Sequence, residues 1–255
     1  MTSVRVLRVF TRDGNGGNHL GVVEDPSGLD TSSMQAMAAQ LGYSETVFFE
    51  PDRVRIFTPA AEMPFAGHPI VGSAWVLGGG VDGATGTMTI QVGDVGWRID
   101  DGLSWVALEQ PGVVHPEPES DAAAFGLPDP HRGYLVELPL AYLVFEYDDC
   151  DLIANAQPNM AAIRASGAGV YIVAACADGM RSRFFAPSFG VDEDPATGSA
   201  AAALAAVRVA QGQEHGEHLI HQGEEIGQPC AINLRWSGET VELGGAVVED
   251  EPQVV

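Results

Sequence analysis

Apolar and polar residues alternate from the start of the chain. SVRVLRVF (residues 3–10) has the period of two expected of a half-buried strand, and HLGVV repeats it after the glycine-rich turn DGNGGN. The period then changes to that of a helix. In DPSGLDTSSMQAMAAQLG, Met34, Met37, Ala38 and Leu41 form one apolar stripe. Asp30 or Thr31 stands where a cap is needed, and Gly42 stands at the stop. ETVFFE and VRIF predict two further strands. GHPIVGSAWVLGGG predicts a helix through Ile70, Val71, Ala74, Trp75 and Leu77, stopped by Gly78 to Gly80. TMTIQV, VGWRI and LSWVAL read as a strand series. The proline-rich break QPGVVHPEPES follows and is the best linker candidate, dividing the chain into domains 1–115 and 116–255.

The second half repeats the order of the first. RGYLVEL and AYLVFEY predict strands, NMAAIRASG a helix, GVYIVAAC and RSRFFA strands, and DPATGSAAAALAAVRVA a helix; HLIH, CAINLRW and TVELGGAVV close the chain as strands. RIFTP (55–59) matches RFFAP (183–187), and GSA (72–74) matches GSA (198–200). A shift of about half the chain predicts a duplicated α+β unit. Duplication would set two equivalent helix starts facing each other, one after EMPFAGHP and one after DEDPATG. Helix starts present unpaired N–H groups and a positive dipole end, which suits a small anion such as a carboxylate. Pro195 fits a first helical turn and Asp194 before it an N-cap, so capping alone would explain Asp194. Asp192 and Glu193 read as a solvated lead-in.

Glu45 shares a strand face with Val47 and Phe49. A carboxylate on an apolar face is desolvated, which raises its pKa toward a value useful for proton transfer. The matching strand of the second half carries no acid from Val170 to Val173, so Glu45 is an asymmetric acid in a symmetric scaffold. The plainer alternative is an exposed glutamate at a strand start. His68 falls at a predicted helix start, where a structural role is the alternative. His215, His218 and His221 are spaced by three, but 218 and 221 fall on opposite faces of a strand, and no metal site is expected. DGNGGN precedes a strand rather than a helix, so a dinucleotide site is not expected.

Composition narrows the chemistry. The formal charge is −23, which argues against nucleic acid as a partner. All 12 basic residues are arginine. The absence of lysine excludes a lysine Schiff base and a phosphate-loop lysine. MTSVRVLRVF is interrupted by Arg5 and Arg8 and reads as a strand rather than a signal peptide. No window is apolar enough to cross a membrane. Cys150, Cys176 and Cys230 are few and widely spaced, which predicts free buried thiols and a cytoplasmic protein.

Five segments together resemble the PhzF family, the phenazine-biosynthesis isomerase-like proteins: VFTRDGNGGNHLGVV, LGYSETVFF, VRIFTPAAEMPFAGHPIVGSAWVL, RFFAPSFGVDEDPATGSAAAAL and HQGEEIGQP. The resemblance covers nearly the whole chain. It implies an α+β fold of two duplicated diaminopimelate epimerase-like domains, each a mostly antiparallel sheet wrapped round a central helix, with the active site in the cleft. It implies a homodimer, no cofactor, and a proton moved between carbons of a small carboxylated substrate. The family's catalytic acid lies in its SET motif, here Glu45. His68 of GHP, with Asp194 and Ser199 of DPxTGS, would hold and polarise the substrate. Backbone N–H groups near Gly67 and Gly198 would receive its carboxylate, and Asn18 keeps the N-terminal GN motif. Epimerase relatives place a cysteine at each helix start; here those places read Gly67 and Pro195, which favours a single-carboxylate shuttle. Three departures are His19 after Asn18, and Gln228 and Cys230 where the family often has arginine and serine.

Overall fold

The computed structural model describes residues 2–109, 112–117, 121–138 and 140–255. The chain is a mixed α/β protein that divides into two compact units, Met1–Leu108 with Leu243–Val255, and Glu109–Glu242. The second boundary corrects the expected 116–255 domain, because the last thirteen residues return to the first unit. The cause is strand pairing: the end of the final strand zips antiparallel onto the first strand, from Ser3↔Val254 to Thr11↔Ala246. Part of the predicted linker lies outside the described residues. Its middle, Val113–Glu117, is a strand paired with a neighbour in the second unit (Leu135↔His115, Val136↔Val114), so it is not a free linker.

The first unit contains β1 (Ser3–Thr11), β2 (Asn18–Val23), α1 (Thr31–Leu41), β3 (Glu45–Phe49), β4 (Val54–Phe57), β5 (Glu62–Met63), α2 (Gly67–Leu77), β6 (Thr85–Ile90), β7 (Gly93–Asp100) and β8 (Leu103–Glu109). Asp30 caps α1 by accepting the Ser33 N–H at 2.8 Å, and Gly42 ends it. β2 and β3 are parallel, with Leu20 opposite Glu45, and β4 returns antiparallel to β3. α2 is apolar on all sides, with nine of its eleven residues buried. A helix of that pattern belongs inside a core rather than on its surface.

The second unit contains β9 (Val113–Glu117), α3 (Asp121–Ala124), β10 (Arg132–Glu137), β11 (Ala141–Tyr147), α4 (Cys150–Ala154), α5 (Met160–Ser166), β12 (Gly169–Cys176), β13 (Gly179–Ala186), β14 (Val191–Asp194), α6 (Gly198–Ala210), β15 (His215–Gln222) and β16 (Cys230–Ser237). β17 (Thr240–Val254) begins there and ends in the first unit. β11 and β12 are parallel, with Tyr142 opposite Gly169, and β13 returns antiparallel to β12. Eleven of the thirteen residues of α6 are buried, most of them alanine, so backbone can approach it closely.

Several expectations are corrected. Helix α6 begins at Gly198, with Thr197 at the N-cap position; Asp194 is the last residue of β14, three residues before that cap. GSA at 72–74 lies beyond the first turn of α2 whereas GSA at 198–200 opens α6, so these triplets do not correspond. EMPFAGH (62–68) against EDPATGS (193–199) does correspond, because Glu62 and Glu193 each precede the helix start by the same five residues. Glu193 is not solvated: it forms a two-pronged ion pair with Arg183 at 2.7 Å, and only 11% of its side chain is exposed. Cys150 and Cys176 form a disulfide, leaving Cys230 as a buried free thiol. They meet because α4 starts beside the end of β12, where Cys176 leaves the sheet.

Candidate active site

Parallel pairing of β2 with β3 sets Asn18 and Glu45 beside the N-terminal turn of α2. Asn18 and His68 are buried, and 16% of the Glu45 side chain is exposed. Glu45 Oε2 lies 3.1 Å from His68 Nδ1, and Asn18 Nδ2 lies 3.4 Å from the same nitrogen. Asn18 and Glu45, two expected site residues of the first unit, thus both meet the imidazole of a third, His68, and Gly67 is the neighbour of His68 in the chain.

Burial draws the His68 imidazole from 6.5 down to about 3, opposed only in part by a backbone hydrogen bond with His19. His68 is therefore neutral at ordinary pH. A neutral ring has two ways to meet Glu45. With the proton on Nδ1 it donates to a carboxylate. With the proton on Nε2, Nδ1 accepts from Asn18 or, in its place, from a protonated Glu45. At 3.1 Å the neutral ring is within reach of Glu45 in either protonation state. His68 Nε2 is buried and meets no hydrogen-bond partner among the described residues. Such atoms are uncommon and costly unless something else completes them.

In the second unit, β14 turns Glu193 and Asp194 to opposite faces. Asp194 Oδ2 accepts the Thr197 hydroxyl at 2.5 Å. Gln222 Nε2 donates to the Asp194 carbonyl at 2.8 Å and to Thr197 Oγ1 at 3.1 Å. Ser199 is the second residue of α6 and is buried. Sequence reasoning missed Thr197 and Gln222, although both lie inside quoted motifs, DPATGS and HQGEEIGQP. Gly223 shows why the two motifs go together. Its φ is +83°, and a Cβ there would lie 2.6 Å from the Pro195 carbonyl, so the loop packs directly on the segment that enters α6. The departures at 228 and 230 lie in this loop: the Gln228 N–H closes its turn on the Gly223 carbonyl at 2.9 Å, and the Cys230 thiol donates to the Gln228 carbonyl at 3.1 Å.

The three histidines of the 215–221 run each have separate company. His215 meets Ser237, His218 lies tilted against Trp236, and His221 faces Asp178. Among the described residues no helix is long and apolar enough to cross a membrane.

A buried carboxyl–imidazole pair beside a helix start defines a candidate for proton-transfer chemistry, and comparison with known proteins gives the class. Residues 7–250 match the family described as phenazine biosynthesis-like protein, and the chain belongs to that family. It is 32% identical over 252 residues to a trans-2,3-dihydro-3-hydroxyanthranilate isomerase of Pseudomonas chlororaphis, covering 89% of this chain and 87% of that protein. The crystal structure of the Bacillus anthracis phenazine biosynthesis protein, PhzF family, has the same fold, with a TM-score of 0.85 at 21% identity, covering 100% of this chain and 98% of that one. A hydroxyproline epimerase from Agrobacterium vitis shares the fold at a TM-score of 0.61 and 11% identity, covering 99% and 93%. The chain is an isomerase with an epimerase-like fold.

Proposed function

We propose that this isomerase needs no cofactor and moves a proton between two carbons of a small carboxylated substrate, with Glu45 as the shuttle. The observation that carries the reading is the Glu45–His68 pair, 3.1 Å apart, beside an imidazole nitrogen that has no partner among the described residues. Glu45 as carboxylate takes the proton from one carbon, leaving an electron pair delocalised into the adjacent π-system. As carboxylic acid it returns that proton to a second carbon, so the substrate keeps its formula and only the double bond moves. His68 stays neutral and holds Glu45 in both states. Asn18 orients the imidazole. In the second unit Asp194, fixed by Thr197 and Gln222, and Ser199 are groups suited to binding polar parts of a ligand.

The backbone N–H groups at Gly67, and separately those at Gly198, are the candidate places for a substrate carboxylate. Neither helix start has a side-chain cap or an acid in its first turn, which leaves the local field favourable to an anion. The substrate class follows the Pseudomonas isomerase: a ring carboxylate related to dihydro-hydroxyanthranilate.

Duplication of one ancestral unit supports the single-acid reading. Two registers, β2–β3 with β11–β12 and β3–β4 with β12–β13, both equate Glu45 with Gly169. A Cβ at Gly169 would lie 2.6 Å from Phe184 Cε2, so that position is filled by an aromatic ring and has no room for a second acid. A two-thiol mechanism has no support, since two cysteines are paired and the third is buried.

The test is turnover of trans-2,3-dihydro-3-hydroxyanthranilate by the wild type and by Glu45→Gln, which keeps the shape of the side chain but cannot exchange a proton. The variant should fold and bind as the wild type does and lose about 10²- to 10⁴-fold in kcat. Undiminished turnover by Glu45→Gln would end the proposal. In D2O, isomerisation carries label to a new carbon to the extent that Glu45 exchanges its proton with solvent before returning it; exchange at one stereocentre without movement of the double bond would make the enzyme an epimerase instead. The same reading expects a homodimer, which light scattering checks.

A further inference from the structure

The same device stands before both helix starts, and the chemistry above does not use it. In the first unit the Arg55 guanidinium grips Glu62 with two hydrogen bonds, 2.7 and 2.6 Å, and lies 5.0 Å over the Phe57 ring. A third bond, 3.0 Å to Thr31 Oγ1, ties it to the first turn of α1. In the second unit Arg183 grips Glu193 with two bonds of 2.7 Å, lies 4.9 Å over Phe185, and donates to the Ala156 carbonyl at 2.9 Å. Only 9% of either arginine side chain is exposed. Each glutamate is followed by a proline two residues on and by the first helical glycine five residues on.

A planar guanidinium gripping both carboxylate oxygens fixes orientation as well as distance, which a lysine does not. The bond therefore sets the angle at which the chain leaves the sheet and enters the helix. In the second unit it also sets the adjacent residue, Asp194, which period-two alternation turns to the opposite face. We infer that Arg55–Glu62 and Arg183–Glu193 are positioning pairs that aim the two helix starts, and so set how tightly the enzyme holds a substrate carboxylate. This rests on the carboxylate site proposed above.

The experiment compares Glu62→Gln, Glu193→Gln, Arg55→Lys and Arg183→Lys with a control, Glu146→Gln. Glu146 pairs with Arg208 at 2.6 Å near the C-terminal end of α6, where loss of a buried ion pair should destabilise without touching a helix start. The readouts are the Kd for anthranilate by calorimetry, KM and kcat with trans-2,3-dihydro-3-hydroxyanthranilate, and hydrogen exchange of the peptides spanning 66–72 and 196–202. The pairs should matter for binding: Kd and KM rise about tenfold in the clamp variants, kcat stays within twofold, and amides of the affected helix start exchange faster. Glu146→Gln should change none of these. Equal effects in the control, or helix-start exchange unchanged in all four clamp variants, would overturn the inference. Lysine variants cover the case in which a glutamine variant does not fold. A wild type that binds no anthranilate and turns nothing over refutes the proposed function instead, and hydrogen exchange still decides the role of the pairs.

Discussion

If His68 is neutral because it is buried, acid must destabilise the fold through that residue, by an amount that can be calculated. In the unfolded chain the imidazole takes up a proton near 6.5, whereas in the folded chain it does so only near 3. The unfolded state therefore binds more protons between those values, and stability falls as pH drops through that window. Above 6.5 the group contributes no pH dependence. Well below 6.5 each pH unit costs about 1.4 kcal/mol from this side chain. His68 is only 3% exposed, so solvent screening does not reduce the figure. Other groups also titrate, but His68→Asn removes this one and leaves them in place. The difference in urea unfolding free energy between wild type and His68→Asn should be flat above pH 7, and should change by roughly 2–3 kcal/mol between pH 6.5 and 4.5, at the expense of the wild type. Glu45→Gln leaves the burial of His68 unchanged, so its curve should keep the slope of the wild type. Imidazole carbon shifts of His68 give an independent check. Parallel stability curves, or an NMR midpoint of 6 or above, would refute a neutral His68 and with it the two-state hydrogen bond to Glu45.

Three further outcomes can be checked on the purified protein. Gly169→Ala puts a methyl group 2.6 Å from Phe184 Cε2, in a ring cluster with Tyr142 and Tyr171, and should cost about 1–3 kcal/mol in urea unfolding; recovery in the double variant with Phe184→Leu would identify the contact responsible. Cys150→Ser opens a bridge that closes a 26-residue separation and should lower stability by roughly 3–4 kcal/mol under oxidising conditions and far less under reducing ones. Non-reducing peptide mapping should find Cys150 joined to Cys176, with Cys230 reacting with alkylating agent only after unfolding.

Most of the strands were legible because period-two alternation is a local signal, and α1 was legible because its stripe, cap and stop all agree. What failed was non-local. Asp194 before a proline has the local look of a helix cap. The chain nevertheless runs three more residues before α6, because Asp194 is paired opposite Phe184 in the sheet. Three consecutive acids carry no apolar alternation, so β14 was invisible, as was the ten-residue reach from Glu193 back to Arg183. The two GSA triplets misled because small residues recur wherever a helix is packed on all sides. The disulfide was missed because sequence spacing holds no record of where a strand ends beside a helix start.

The asymmetry of Glu45 was legible in outline only. Sequence comparison noted that the second half lacks an acid, but not why. The registers equate Glu45 with Gly169, and the ring of Phe184 takes the space that a side chain there would need. Phe184 corresponds to Ile56 by the same register, and Ile56 leaves Glu45 its place. On this reading one change of volume, isoleucine to phenylalanine, accompanies the loss of the second acid. If Glu45 is the proposed shuttle, one group must both take and return the proton, which then leaves and returns on one face of the substrate. Glu45 can serve both steps only if it is stable with and without its proton, and a buried neutral imidazole, able to donate to the carboxylate or accept from the acid, is a partner suited to both.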